Sequence, residues 1–166
     1  MTLKVSVLGC GNSLVGDDAV GLEVLRILEE LSPEVPGLDI RLVEAATGGL
    51  DIIEYLRDRE RAVIIDAILG GGQAGEIRVF DATEIPDPVA PAFSLHGIDL
   101  PHALALGRRL YPGEMPRVTV VGIEVGRRPE PTDRRLSPPV AAAVEPGAEA
   151  VLAVLHEWSR EVCNDA

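Results

Sequence analysis

The sequence predicts an α/β protein, a three-layer α/β/α sandwich around a mostly parallel twisted sheet with one antiparallel strand. Three observations predict it. Short apolar runs at Val5–Leu8, Ala62–Ile65 and Val118–Ile123 have the length and continuity of buried strands. Segments with apolar residues at helical spacing alternate with them. One inter-strand connection, Leu69–Gly75, is too short to hold a crossover helix, so the strand after it, Glu76–Phe80, is expected to run antiparallel.

The first strand, Val5–Leu8, leads into Gly9–Gly21, the sequence GCGNSLVGDDAVG. Val20, Val24, Ile27, Leu28 and Leu31 then mark the inner face of a helix. A strand, a glycine turn and a helix deliver loop residues to the carboxyl edge of a parallel sheet, where open α/β sheets bind ligands. Asp17 and Asp18 arrive at that edge. They fit a charged helix cap, which the helix dipole favours, and equally a carboxylate site. A dinucleotide fold begins in the same way, but its G-x-G-x-x-G turn requires a third glycine where Leu14 stands. Two aspartates would also oppose a pyrophosphate there.

Ser32–Leu38, with Pro33, Pro36 and Gly37, breaks the chain before an alternating edge strand at Asp39–Val43. Glu44, at its end, stands where a ribose-binding acid would be in a dinucleotide fold. Thr47 is suited to cap the next helix, in which Leu50, Ile53 and Leu56 are expected to face inward. The Gly48–Gly49 pair suits either a loop or a close backbone approach by a substrate. Asp66 follows the central strand Ala62–Ile65 directly. An aspartate there is costly unless it is paired, hydrogen-bonded or bound to a cation, and a turn or capping role is the ordinary alternative.

A proline-rich connection, Asp81–Ala92, is long enough to suggest a functional loop. It delivers His96 just ahead of a helix that runs to about Leu110, with Leu100, Ala103, Leu104 and Gly107 on its packed face. A loop histidine is ordinarily a solvated side chain, and His102 and His156 carry still less signal. Gly126–Pro139 is an open loop with four arginines, suited to solvent or to a carboxylate-bearing partner. Val140–Trp158 is expected to be helical with an interruption at Pro146–Gly147.

Composition narrows the function classes. With 166 residues, one domain spanning 1–166 is expected. A formal charge of −12 disfavours nucleic acid and anionic lipid as partners, and no apolar run is long enough to cross a membrane. The start, MTLKVSVLG, lacks signal-peptide features, and Cys10 and Cys163 show no metal-type spacing, so a cytoplasmic protein is expected.

Asp18 and Asp66 are expected at one sheet edge, because parallel strands share a carboxyl end, and the proline loop is long enough to bring His96 there. Two carboxylates and an imidazole would suit a divalent transition metal such as nickel or zinc, and are too poor in oxygen for calcium.

The segments LGCGNSLVGDDAVG, EAATGG, VIIDAI, SLHGIDL, VTVVGIEV and LSPPVAAAVEP, in this order, resemble the hydrogenase maturation endopeptidases. Members of that family trim the C-terminal tail from the large subunit of nickel-containing hydrogenases. The resemblance runs from about residue 3 to residue 155. It implies that Asp18, Asp66 and His96 are the metal-binding and catalytic positions; many members carry glutamate where this chain has Asp18. It further implies that Ni2+ is carried by the substrate, with Zn2+ an alternative occupant. The family has no recognised serine or cysteine nucleophile, which leaves Cys10 outside the chemistry. Thr47, Gly48 and Gly49 become the candidates for contacts to the substrate tail. The implied partner is the hydrogenase large-subunit precursor, and the protease is expected as a monomer or weak homo-oligomer. A nucleotide-binding protein built on Gly9 and Gly11, or a non-catalytic relative that only binds the precursor, remain the alternatives.

Overall fold

The structure is a computed structural model that describes residues 2–46, 49–85 and 100–164. Among these residues five strands form one sheet: β1 (Leu3–Gly11), β2 (Leu38–Ala46), β3 (Arg61–Ile68), β4 (Ile77–Asp81) and β5 (Arg117–Glu124). Their spatial order is β2-β1-β3-β5-β4. β1 pairs parallel with β2 and β3, β3 pairs parallel with β5, and β4 runs antiparallel to β5. The seven-residue link Leu69–Gly75 thus does what its length requires.

Among the described residues five helices cover the sheet: α1 (Val20–Leu31), α2 (Asp51–Leu56), α3 (Leu100–Leu110), α4 (Pro138–Ala142) and α5 (Val144–Asn164). Alternation along the strands divides the core in two. Val5, Val7, Val63, Ile65, Val121 and Ile123 face one way and pack on α1, α4 and α5. Leu8, Ala62, Ile64, Val118 and Val120 face the other way and pack on α2 and α3. Each fully buried aliphatic side chain contributes ~1.5–3 kcal/mol, and the core has few aromatic rings to rely on.

Several boundaries differ from expectation. β1 extends through Gly9, Cys10 and Gly11, because β2 continues to pair with it as far as Ala46. Asp66 lies within β3 rather than beyond it, since Asp66, Ala67 and Ile68 stay paired with Gly122, Ile123 and Glu124. Leu31 and Leu50 are exposed; in α2 the inward residues are Ile52, Ile53 and Leu56. The C-terminal helix is not interrupted at Pro146–Gly147. The break falls at Ala143, and Pro146 sits in the first turn of α5, where a proline leaves no hydrogen bond unmade. Gly147 is buried where α5 crosses α1, its Cα side turned to Val24.

Candidate active site

The carboxyl ends of β1 and β3 lie side by side. Gly9 is in register with Ile65, so Cys10 and Asp66 are the next neighbours, on the α2/α3 face. Beyond β1 the chain turns at Asn12, whose side-chain oxygen accepts from the Leu14 N–H at 2.9 Å. A 3-10 turn, Gly16–Ala19, follows and runs directly into α1. This turn is pressed onto the strand end: a Cβ at Gly11, where φ is +139°, would stand 1.9 Å from the Asp18 carbonyl oxygen. Glycine is therefore required at position 11.

The two aspartates of the turn point to different tasks. Asp18 is half-buried, and its Oδ2 accepts from the Asn12 N–H at 3.0 Å. Asp17 is buried and accepts from the N–H and hydroxyl of Ser137, at 2.6 and 2.8 Å. It fastens the arginine-rich loop to the turn. Nothing local in the sequence announces this contact, since the partners are 120 residues apart.

Asp66 faces Asp18 electrostatically. Burial pushes the Asp66 carboxyl up to about 7, the negative charge of Asp18 adds to the rise, and the Ala67 N–H, donating to Asp66 Oδ1 at 2.9 Å, opposes it. Asp18 is raised by burial as well, against the pull of the Asn12 N–H. A carboxylate disfavoured by burial and by a neighbouring carboxylate takes up a proton or a cation. This chemistry fits a divalent metal. Among the described residues, no three His, Cys, Asp or Glu side chains are gathered to hold an ion. The pair therefore needs a further ligand from elsewhere, and the expected third member, His96, lies outside the described residues, as do Thr47 and Gly48. Gly49 is described: its carbonyl accepts from the Ile52 N–H at the start of α2.

Cys10 is 3% exposed, and burial, aided by Asp66, pushes its thiol well above the usual value. A thiol held protonated beside a carboxylate is a poor nucleophile. His156 is exposed on α5. Sequence reasoning also passed over Glu124, which is fully buried at the end of β5 on the same face as Asp66. Its Oε2 accepts from the Gly70 N–H at 2.8 Å and so holds the loop that follows Asp66. The position where a dinucleotide would lay its pyrophosphate is occupied by the Gly16–Ala19 turn with its two acidic side chains, which opposes that reading.

A family model described as hydrogenase maturation protease matches residues 24–154. The chain is 30% identical over 161 residues to the hydrogenase 2 maturation protease of Escherichia coli K12, covering 93% of this chain and 92% of that one. The chain belongs to the hydrogenase maturation protease family. It is a peptidase of the maturation-endopeptidase type. Its fold is similar to that of the hydrogenase maturating endopeptidase HybD from E. coli, with a TM-score of 0.76 at 30% identity and 93% of each chain covered. It is also similar to the [NiFe] hydrogenase maturation protease HybD from Thermococcus kodakarensis, with a TM-score of 0.69 at 27% identity, covering 92% of this chain and 99% of that one. This hydrogenase maturation protease carries its Asp18–Asp66 pair at the carboxyl edge of its sheet.

Proposed function

We propose that this maturation protease removes the C-terminal extension of a nickel-containing hydrogenase large-subunit precursor once nickel is in place. Asp18, Asp66 and His96 contact the nickel that the substrate brings. The observation that carries this reading is the Asp18–Asp66 pair: two carboxylates, one on the turn after β1 and one on β3, both pushed up by burial, with the Asp18 charge raising Asp66 further. Such a pair gains most from an incoming divalent cation, which replaces the proton and relieves the repulsion.

The residues around the pair support the same assignment. Cys10 stays protonated and packs in the core, so the peptide bond is not attacked by a thiolate. In this reading water attacks the peptide bond, with the carboxylates orienting the metal-bearing end of the substrate. Asp66, pushed up to about 7, holds a proton near neutral pH until the cation arrives. His96 joins the set on the strength of the SLHGID segment, and Thr47, Gly48 and Gly49 supply backbone contacts to the tail. The histidine suits nickel, as does a mixed oxygen and nitrogen donor set. Zinc would occupy the same donors.

The test is incubation of the protein with nickel-loaded and nickel-free precursor, read by mass spectrometry. Cleavage of the loaded precursor alone is expected. His96→Ala should remove activity, whereas His156→Ala should leave it intact. Efficient cleavage of nickel-free precursor would overturn the reading.

A further inference from the structure

On the side of the Gly16–Ala19 turn away from Asp66 lies a hollow of about 590 Å3 between α1, α4 and the loop 126–137. Ser13, Gly16 and Ala19 of the turn line it, and Arg134 and Arg135 stand over it. We propose that this hollow is a second substrate subsite, which takes a carboxylate-bearing stretch of the extension; the proposal rests on the reading of the protein as a precursor-processing peptidase.

The loop is fixed where it forms the wall. Asp17 holds Ser137 through two hydrogen bonds, and the Arg134 guanidinium donates to the Leu14 carbonyl at 3.2 Å. Loop and turn meet without room for a side chain: a Cβ at Gly16, where φ is +37°, would stand 2.7 Å from Asp133 Cβ. A hollow with walls held from both sides is formed before the ligand arrives, and its size is that of a small-ligand or short-peptide site.

Its charge selects the ligand. The protein carries a formal −12, yet among the described residues Arg134 and Arg135 make no ion pair with a carboxylate. Arg127, by contrast, is taken up by Asp133 at 3.0 Å. Of the two acids on the lining, Glu23 is engaged by Arg26 at 2.8 Å, which leaves two arginines against Glu145. The arginine side is therefore the end that attracts an anion, and a guanidinium grips a carboxylate with two parallel hydrogen bonds.

The hollow also lies within reach of the candidate active site, because the turn that carries Asp18 is its wall. Leu14, two residues ahead of that turn, is 67% exposed. A helical turn with side chains is ~10 Å across, a distance that an extended chain covers in about three residues. A hollow of this size admits a strand of the extension and excludes the folded body of the precursor.

The test uses fluorescein-labelled synthetic peptides of the precursor's C-terminal extension, followed by anisotropy on the intact protein, which needs no cleavage. Three peptides are compared: the native one, one with its side-chain carboxylates as amides, and one with an amidated C-terminus. Binding of the native peptide is expected, with ~10-fold weaker binding to R134Q/R135Q and the same loss on amidating whichever carboxylate enters the hollow. In parallel, R134Q/R135Q should raise KM for nickel-loaded precursor ~10-fold while kcat changes less than ~2-fold. Equal binding by R134Q/R135Q, or by all three peptides, overturns the subsite. Unaltered nickel-loaded precursor left uncut by the unmodified protein overturns the peptidase reading instead, and the two failures are thereby told apart.

Discussion

Gly21, in the first turn of α1, lies on the strand backbone at Cys10: a Cβ there would stand 2.3 Å from the Cys10 carbonyl oxygen and 2.4 Å from that of Ile65. Gly9 meets the same helix from below, where a Cβ would stand 2.6 Å from the Gly21 carbonyl oxygen. This pair of glycines lets α1 touch β1 and β3 at once, the close approach that a dinucleotide fold assigns to a third glycine of its turn. Gly21→Ala is expected to cost about 2–3 kcal/mol, because the added methyl group meets backbone on both strands. It should also slow cleavage, since the Asp18 turn must lift with the helix. A thermal melt and a precursor assay at a permissive temperature check the two effects; an unchanged melting temperature would show that α1 sits farther from the sheet.

Asp66 ties stability to pH. Its folded-state value, pushed up to about 7, exceeds the unfolded value near 4, so the folded protein holds the proton more tightly between these limits. The contribution to stability is therefore full below about pH 4, falls as pH rises, and is gone above about 7. Asp66→Asn removes the dependence. The variant should be more stable than the unmodified protein at pH 8 by about 2 kcal/mol, and no more stable at pH 4. It should also process precursor at least ~100-fold more slowly, because the amide does not attract a divalent cation. Urea titrations at the two pH values, with a mass-based cleavage assay, give both readouts. A turn or capping aspartate would accept asparagine without loss of activity.

Cys10 and Cys163 are both free thiols, one buried and one exposed. A maleimide is expected to modify Cys163 in the native protein and to reach Cys10 only after denaturation. Cys10→Ala should retain processing within about 2-fold while losing roughly 1 kcal/mol of stability for the packing removed. Loss of cleavage in a folded Cys10→Ala protein would bring a thiol mechanism back.

The Asp17–Ser137 clamp predicts a graded series. Ser137→Ala removes the hydroxyl bond and keeps the N–H bond, at a cost of about 1 kcal/mol. Asp17→Ala removes both and leaves the half-buried Ser137 donors unanswered, for about 2 kcal/mol. The double variant should cost little more than Asp17→Ala alone, because the two residues share one interaction. Strict additivity in denaturant melts would show that the contact is absent in solution.

Much of the sheet was legible because strands buried on both faces must be continuously apolar, as Ala62–Ile65 and Val118–Ile123 are. The ends were not. Whether Asp66 closes β3 or lies within it depends on whether β5 continues beside it, and that register is a property of two distant segments. The interruption expected at Pro146 fell instead at Ala143, because proline is harmless in a first turn and the sequence does not mark where that turn begins. Asp18 and Asp66 were recognisable as a pair through the shared carboxyl edge. Asp17 was not separable from Asp18 by inspection, since only the partner at Ser137 gives it a different task. Glu124 was hidden for the same reason: its partner is the Gly70 N–H, across two strands.

The clamp between Asp17 and Ser137 also orders events during synthesis. Asp18 and Asp66 are both out of the ribosome once β3 has emerged, but β3 still lacks its neighbour β5 and the turn still lacks its latch. The N-terminal strand must wait for β2 and then β3, and β3 in turn for β5, a topology rich in distant contacts that folds slowly. Ser137 is translated 120 residues after Asp17. Until Ser137 has been made, the chain therefore carries Asp18 on a turn that its latch does not yet fix.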